Sequence, residues 1–200
     1  MQTKAEFWFD PMCPWAFITS RWILEVEKVR DIEISWNIFS LPHLNKDREM
    51  PERYKVIFAN SWFCARVIKA VENEHGKEKI LPLYTAISSR IHVLKEEVSK
   101  DLLSDSLKEI GLDPKYVLAM DNSDWDKEII ESHERGINLV GDDVGTPIIA
   151  INGVGFFGPV ISPAPKGEEA GKLWDGIVLS ASYPGFFELK RSRTVGPIFE

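Results

Sequence analysis

Ala5-Glu6-Phe7-Trp8-Phe9-Asp10-Pro11-Met12-Cys13-Pro14-Trp15-Ala16 is the stretch whose reading decides the fold. Ala5, Phe7 and Phe9 alternate with Glu6, Trp8 and Asp10, a period of two that predicts a strand. Beyond Cys13 the period changes, and Ile18, Trp22, Val26 and Val29 recur at helical spacing, which predicts an amphipathic helix to about Arg30. Pro14 suits the first helical position, where no N–H donor is needed. Cys13 therefore stands where a strand ends and a helix opens. The unsatisfied N–H groups and the positive end of the macrodipole at that point favour a thiolate, so the expectation is a thiol more acidic than a free cysteine. A dithiol redox motif carries its second cysteine after two intervening residues, and here that position is Ala16.

Working outward, Ile32, Ile34, Trp36 and Ile38 return to alternation, completing a strand, helix and strand that predict a right-handed βαβ unit with parallel strands. From Leu41 to Gly136 the pattern is helical throughout. Helices are expected from about Pro51 to His75, stopped by Gly76; over Leu83, Ile87, Ile91 and Leu94; and over Leu103, Leu107 and Ile110, stopped by Gly111. Asp113-Pro114 opens a short helix to about Met120, and Ser123 with Asp126 resembles a capping box for a helix ending at Gly136. The β pattern resumes over Pro147 to Ile151, Asn152-Gly153 signals a tight turn, and Val154 to Phe157 returns as its partner. Ala170, Leu173, Trp174, Ile177, Val178 and Ala181 predict a closing helix. The class is α/β, a βαβ…ββα frame at residues 1–42 and 137–200 carrying an inserted all-helical subdomain at residues 43–136.

The chain has 200 residues of which 44% are hydrophobic, enough for one full core. Its formal charge of −7 argues against nucleic acid or an anionic membrane as partner. The basic group Lys190, Arg191 and Arg193 reads as solvated surface. No apolar run reaches the length of a membrane span and no signal-type segment precedes the first strand, so a cytoplasmic setting is expected. Two cysteines cannot build a disulfide framework, and Cys64, inside a helical pattern, reads as an inert space-filler. Gly153, Gly155 and Gly158 match a dinucleotide fingerprint, but Pro159, Pro163 and Pro165 forbid the helix that must follow. His43, His75, His92 and His133 lack metal-ligand spacing, so neither a metal nor a flavin is expected.

The order of elements, with a cysteine after the first strand and a Thr-Pro entering the third, resembles the thioredoxin fold of the DsbA-like branch. The strings F-W-F-D-P-M-C-P-W from Phe7, T-S-R-W-I-L-E-V from Thr19, D-V-G-T-P from Asp143, F-F-G-P-V from Phe156, G-E-E-A-G-K-L-W-D from Gly167 and Y-P-G-F-F-E-L-K-R from Tyr183 are similar to the mycothiol-dependent nitroreductases of actinobacteria. That resemblance implies cytosolic thiol chemistry with mycothiol as reductant and co-substrate, homodimers, and nitro reduction by some members. The family usually has cysteine where Ala16 stands and tryptophan where Phe17 stands.

Cys13 is the expected nucleophile, forming a mixed disulfide that a thiol from solution must release. The resemblance implies a cis Thr146-Pro147 bond facing the cysteine, with Thr146 offering its backbone to an extended thiol ligand. Pro14, Trp15 and Ala16 complete the motif, and Trp15 reads either as an aromatic wall for a flat substrate or as a buried fold residue. Asn45 and Tyr54 align with the family's pocket and could hydrogen-bond a ligand. His92 reads as structural. Alternatives remain open: a redox-inactive binding or chaperone-like module, or a thiol transferase or isomerase.

Overall fold

The alternating residues of the first stretch form β1 (Thr3–Phe9) in the computed structural model, which describes residues 2–199; Met1 and Glu200 lie outside the described residues. β1 pairs in parallel with β2 (Ile32–Ile38), Phe7 opposite Trp36, and antiparallel with β3 (Ile148–Ile151), Phe7 opposite Ile149. β4 (Val154–Phe157) closes the sheet in the order β2-β1-β3-β4. Asn152 and Gly153, at φ 50° and 88°, make the turn between β3 and β4, the positive values a two-residue hairpin needs.

Because side chains alternate along a strand, the sheet feeds two cores. Ala5, Phe7, Phe9, Ile149 and Ile151 face the larger one, with Trp22, Ile23 and Val26 of α1 (Pro14–Glu27) and Ala170 and Trp174 of α7 (Gly167–Ala181). Trp8, Phe39, Ile148 and Ala150 face the smaller one, closed by Ile137 of α6 (Asp126–Val140). α1 stops three residues short of Arg30 because Val29 and Arg30 both donate to the Val26 carbonyl, at 3.0 and 2.8 Å. Arg30 then turns its guanidinium to Glu168 and Asp175 on α7. The Trp22 indole donates to the Ala170 carbonyl at 3.1 Å, fixing α7 against α1.

Between β2 and α6 run α2 (Leu41–Leu44), α3 (Glu52–His75), α4 (Ile80–His92), α5 (Lys100–Glu109) and three 3-10 turns, Lys77–Lys79, Pro114–Asp121 and Ser123–Trp125. Gly76 and Gly111 follow α3 and α5 with φ of 92° and 74°, as their expected stop positions require. Tyr84 of α4 stacks on Phe9 of β1 at 3.8 Å between centroids, so the helical segment packs into the larger core rather than standing apart from it.

Three expectations need correction. Ser123 and Asp126 form no capping box: Ser123–Trp125 is a 3-10 turn capped by the Asn122 side chain, which accepts from Asp124 N at 3.0 Å, and α6 opens at Asp126 with no side-chain cap. The Asp113-Pro114 segment is 3-10 rather than α-helical, with the Asp113 carboxylate accepting from Lys115 N. Gly136 does not end a helix: α6 continues to Val140 and stops at Gly141, φ 89°. Its glycine is set by packing, since an added Cβ would stand 3.0 Å from the Trp8 ring. The Trp8 indole meets α6 there, donating to the Ser132 carbonyl at 2.9 Å. Gly136→Ala should therefore overpack the smaller core and lower unfolding free energy by about 1–3 kcal/mol in urea titrations, despite alanine's better helix propensity.

Candidate functional site

Asp10, the residue directly after β1, is a carboxylate following an apolar strand end, and it is fully buried. Its carboxylate accepts from Met12 N at 2.9 Å, Leu41 N at 2.9 Å and the Ser61 hydroxyl at 2.6 Å. Three segments, the cysteine loop, the start of α2 and the middle of α3, thus meet at one side chain. Burial pushes the Asp10 carboxyl up from its ordinary value while those three donors pull it down. From the other side, the His92 ring nitrogen Nε2 lies 2.9 Å from the Pro11 carbonyl, which also accepts from Ser88. His92 is desolvated to a pKa of about 4, so the ring is neutral and donates. The loop preceding the cysteine is pinned at both ends.

Cys13 is the N-cap of α1, with φ −88° and ψ 110°. Its Sγ accepts from Ala16 N at 3.4 Å and donates to the Thr146 carbonyl at 3.3 Å. The Thr146–Pro147 peptide bond is cis, and the Thr146 hydroxyl donates to the Trp8 carbonyl at 2.9 Å, holding that loop against β1. The structure therefore brings together Cys13, Pro14, Ala16, Thr146 and Pro147, residues 133 positions apart in chain order for the Cys13–Thr146 pair.

The expected acidity is not what this arrangement produces. Burial pushes the Cys13 thiol up to about 12, the Ala16 and Trp15 N–H groups pull it down by less, and Asp10 adds to the rise. Only 6% of the residue is exposed. The helix start supplies the stabilisation read from sequence, but desolvation outweighs it, and in this state the sulfur is a neutral thiol that donates to Thr146. Cys64, fully buried in α3, is also pushed up by burial.

The other named residues have local partners. Trp15 is half-buried against the larger core, with the Arg193 guanidinium 5.1 Å from its ring centroid. Asn45 donates to the Leu41 carbonyl at 2.8 Å and closes its own helical turn. Tyr54 packs on Phe58 at 5.9 Å, under the Arg53 guanidinium. Phe17, where the family has tryptophan, sits edge-on to Tyr84 at 6.1 Å.

Sequence reading missed Asp10, whose signal was a carboxylate at the end of an apolar strand just before Pro-Met-Cys. It also missed that His43, His133 and Glu134 converge, with His43 Nε2 at 3.3 Å from Glu134. No spacing rule links position 43 to 133. The His133 pKa is lowered to about 4, and its Nδ1 accepts from Ser40 N at 3.4 Å, which leaves the ring proton on Nε2. Among the described residues no helix is long and apolar enough to cross a membrane.

A cysteine at the N-cap of the first helix, facing the Thr-Pro turn that precedes the third strand, defines a DsbA-like protein of the thioredoxin fold. Solved structures agree on the architecture: the cytosolic disulfide reductase DsbM from Pseudomonas aeruginosa with GSH superposes with a TM-score of 0.59 at 14% identity, covering 88% of this chain and 99% of that one. The thiol-disulfide exchange protein alpha-DsbA2 from Wolbachia pipientis gives 0.56 at 21% identity, covering 88% and 81%. The uncharacterized protein Rv2286c of Mycobacterium tuberculosis is 28% identical over 198 residues, 96% of this chain and 83% of the relative. The family model described as Rv2466c-like, mycothiol-dependent nitroreductase Rv2466c, matches residues 12–191, and the chain belongs to that family. Its family is one of mycothiol-dependent oxidoreductase enzymes.

Two outcomes follow from the site's energetics. Iodoacetamide alkylation of Cys13, followed by mass spectrometry, should accelerate about tenfold per pH unit from pH 7 to 10 without a plateau, whereas a free thiol levels off above about pH 9. Asp10→Ala should lower stability by about 3 kcal/mol, since it strands three buried donors, and Ser61→Ala by about 1 kcal/mol, both read by urea titration.

Proposed function

We propose that the protein is a monothiol oxidoreductase of the cytoplasm that passes electrons from mycothiol to disulfide substrates through Cys13 alone. The observation that carries this reading is at position 16. The Ala16 N–H donates to the Cys13 sulfur at 3.4 Å, and the side chain at this position, where a dithiol motif has its second cysteine, is a fully buried methyl group. Cys64, the other free cysteine, is fully buried in α3.

In the first step the Cys13 thiolate attacks the mycothiol sulfur of a substrate–mycothiol disulfide, and the substrate thiolate leaves and takes a proton. In the second, the thiolate of another mycothiol attacks the same mycothiol sulfur, producing mycothiol disulfide and returning Cys13 to the thiol. Each cycle moves two electrons and consumes one mycothiol. Approach of a thiolate ligand to the start of α1 would place its charge against the backbone N–H groups of Trp15 and Ala16. The Thr146 backbone, beside the sulfur, is the edge along which an extended ligand would lie. Asn45 and Tyr54 would serve as pocket residues for that ligand only after exchanging their local contacts. Reduction of a nitro group to nitroso by the same route would draw two electrons from two mycothiol thiols, which leave as mycothiol disulfide, with water as the other product. The half-buried Trp15 indole is the surface that favours such a flat substrate. Members of the family often form homodimers, which makes a homodimer the expected assembly, and neither step calls on a bound cofactor.

The test is mass spectrometry after exposure to mycothiol disulfide. Wild type and Cys64→Ser should each gain one mycothiol on Cys13, and Cys13→Ser should gain none and lose turnover. An adduct on Cys64, or turnover surviving in Cys13→Ser, overturns the reading. Ala16→Cys should change the product: the adduct should give way to an internal disulfide between positions 13 and 16.

A further inference from the structure

The tail beyond α7 returns over the cysteine helix. Its residues 188–197 are exposed, yet three contacts anchor it. The Arg193 guanidinium covers the Trp15 ring at 5.1 Å. The Ser162 hydroxyl donates to the Gly196 carbonyl at 2.8 Å and accepts from Ile198 N at 2.9 Å. The Phe199 ring then enters a slot, 5.9 Å from Phe17 and stacked on His92 at 5.8 Å and 15°, with the Lys95 ammonium 5.1 Å from its centroid.

Those partners neighbour the cysteine on its helix and its loop. Phe17 N donates to the Cys13 carbonyl at 3.1 Å, and His92 holds the Pro11 carbonyl on the other side of the cysteine. The tail therefore packs on the helix turn and the loop that adjoin Cys13, itself only 6% exposed. Among the described residues, and beyond Phe186, whose ring meets Phe156 edge-on at 5.8 Å, it is held by one aromatic ring, one guanidinium and one hydroxyl rather than by regular structure, which places it at the low end of local stability. The slot has a definite chemical character as well. Two flat rings flank the Phe199 ring; the Lys95 ammonium lies over it and donates to the His92 carbonyl at 2.5 Å, and among the described residues neither Lys95 nor Arg193 is in an ion pair with a carboxylate. A cation at the rim of an aromatic slot selects a ring that carries negative charge.

We propose that the slot formed by Phe17, His92 and Lys95 is a binding site for an aromatic anion, that residues 193–199 fill it as an internal ligand, and that such a ligand uncovers Cys13 by displacing Phe199. This deepens the thiol reading above, because the displaced strap is what converts an enclosed thiol into an accessible one. The high pKa of Cys13 belongs to the strapped state.

The experiment compares the full chain with a chain ending at Leu189 and with Phe199→Ala, all shown to be folded by circular dichroism. Alkylation of Cys13 by iodoacetamide at pH 7.5 should rise about tenfold or more in both variants, one unit of thiolate titration or its equivalent in access. Benzoate, used as the probe, should bind the shortened chain more tightly than the full chain in calorimetry, neutral benzamide should bind weakly, and Lys95→Gln should remove the preference. Unchanged alkylation in both variants overturns the strap, and absence of benzoate binding to the shortened chain overturns the slot. The oxidoreductase reading fails separately, if the shortened chain is alkylated quickly yet forms no adduct with mycothiol disulfide.

Discussion

A single buried carboxylate organises this molecule. Asp10 receives hydrogen bonds from the cysteine loop, from the first turn of α2 and from the middle of α3, so one side chain fixes where the helical segment sits relative to the sheet. A carboxylate withdrawn from water is tolerated only when its oxygens are satisfied, and here Met12, Leu41 and Ser61 satisfy them. The cost of burying that charge is offset by positional definition: the cysteine loop is held at Met12 by Asp10 and at the Pro11 carbonyl by His92. Aromatic packing works in the same direction, since Phe9 and Tyr84 join strand and insertion a residue away.

The chemistry of the sulfur is a contest between two effects of comparable size. A helix start lowers a thiol's pKa through aimed N–H groups and the macrodipole, and removal from water raises it. In this chain the second effect is larger. The first still matters, because it acts on any anion held at that position and it persists when the surroundings open. The neutral thiol donates to the Thr146 carbonyl, the same backbone group that the proposed ligand edge presents. Substrate binding and thiol deprotonation consequently draw on one hydrogen-bonding position.

Much of the frame was legible in the sequence. The switch from period two to helical period at Cys13, the return to alternation at Ile32 and the Asn152-Gly153 turn are local signals, and the elements they predict are present. What was hidden was decided by tertiary approach. Gly136 reads as a stop signal until Trp8 is seen against it, and Asp10 reads as the polar half of an alternating strand until Leu41 and Ser61 close over it. The acidity of Cys13 was misjudged for the same reason: backbone polarity can be read along a chain, whereas exclusion of water depends on segments far away in it. His43 and Glu134 meet across 91 positions, beyond any motif.

The methyl group at position 16 has a kinetic meaning. A cysteine there would release a bound thiol by first-order attack at an effective concentration far above that of any metabolite. Without it, in the proposed monothiol cycle each mixed disulfide would wait for a collision, and its lifetime would be inversely proportional to the amount of free small thiol around it. The fraction of the protein carrying an adduct then registers how depleted that reservoir is, so the same substitution that slows the catalyst under oxidation would make it a gauge of the cell's reducing capacity.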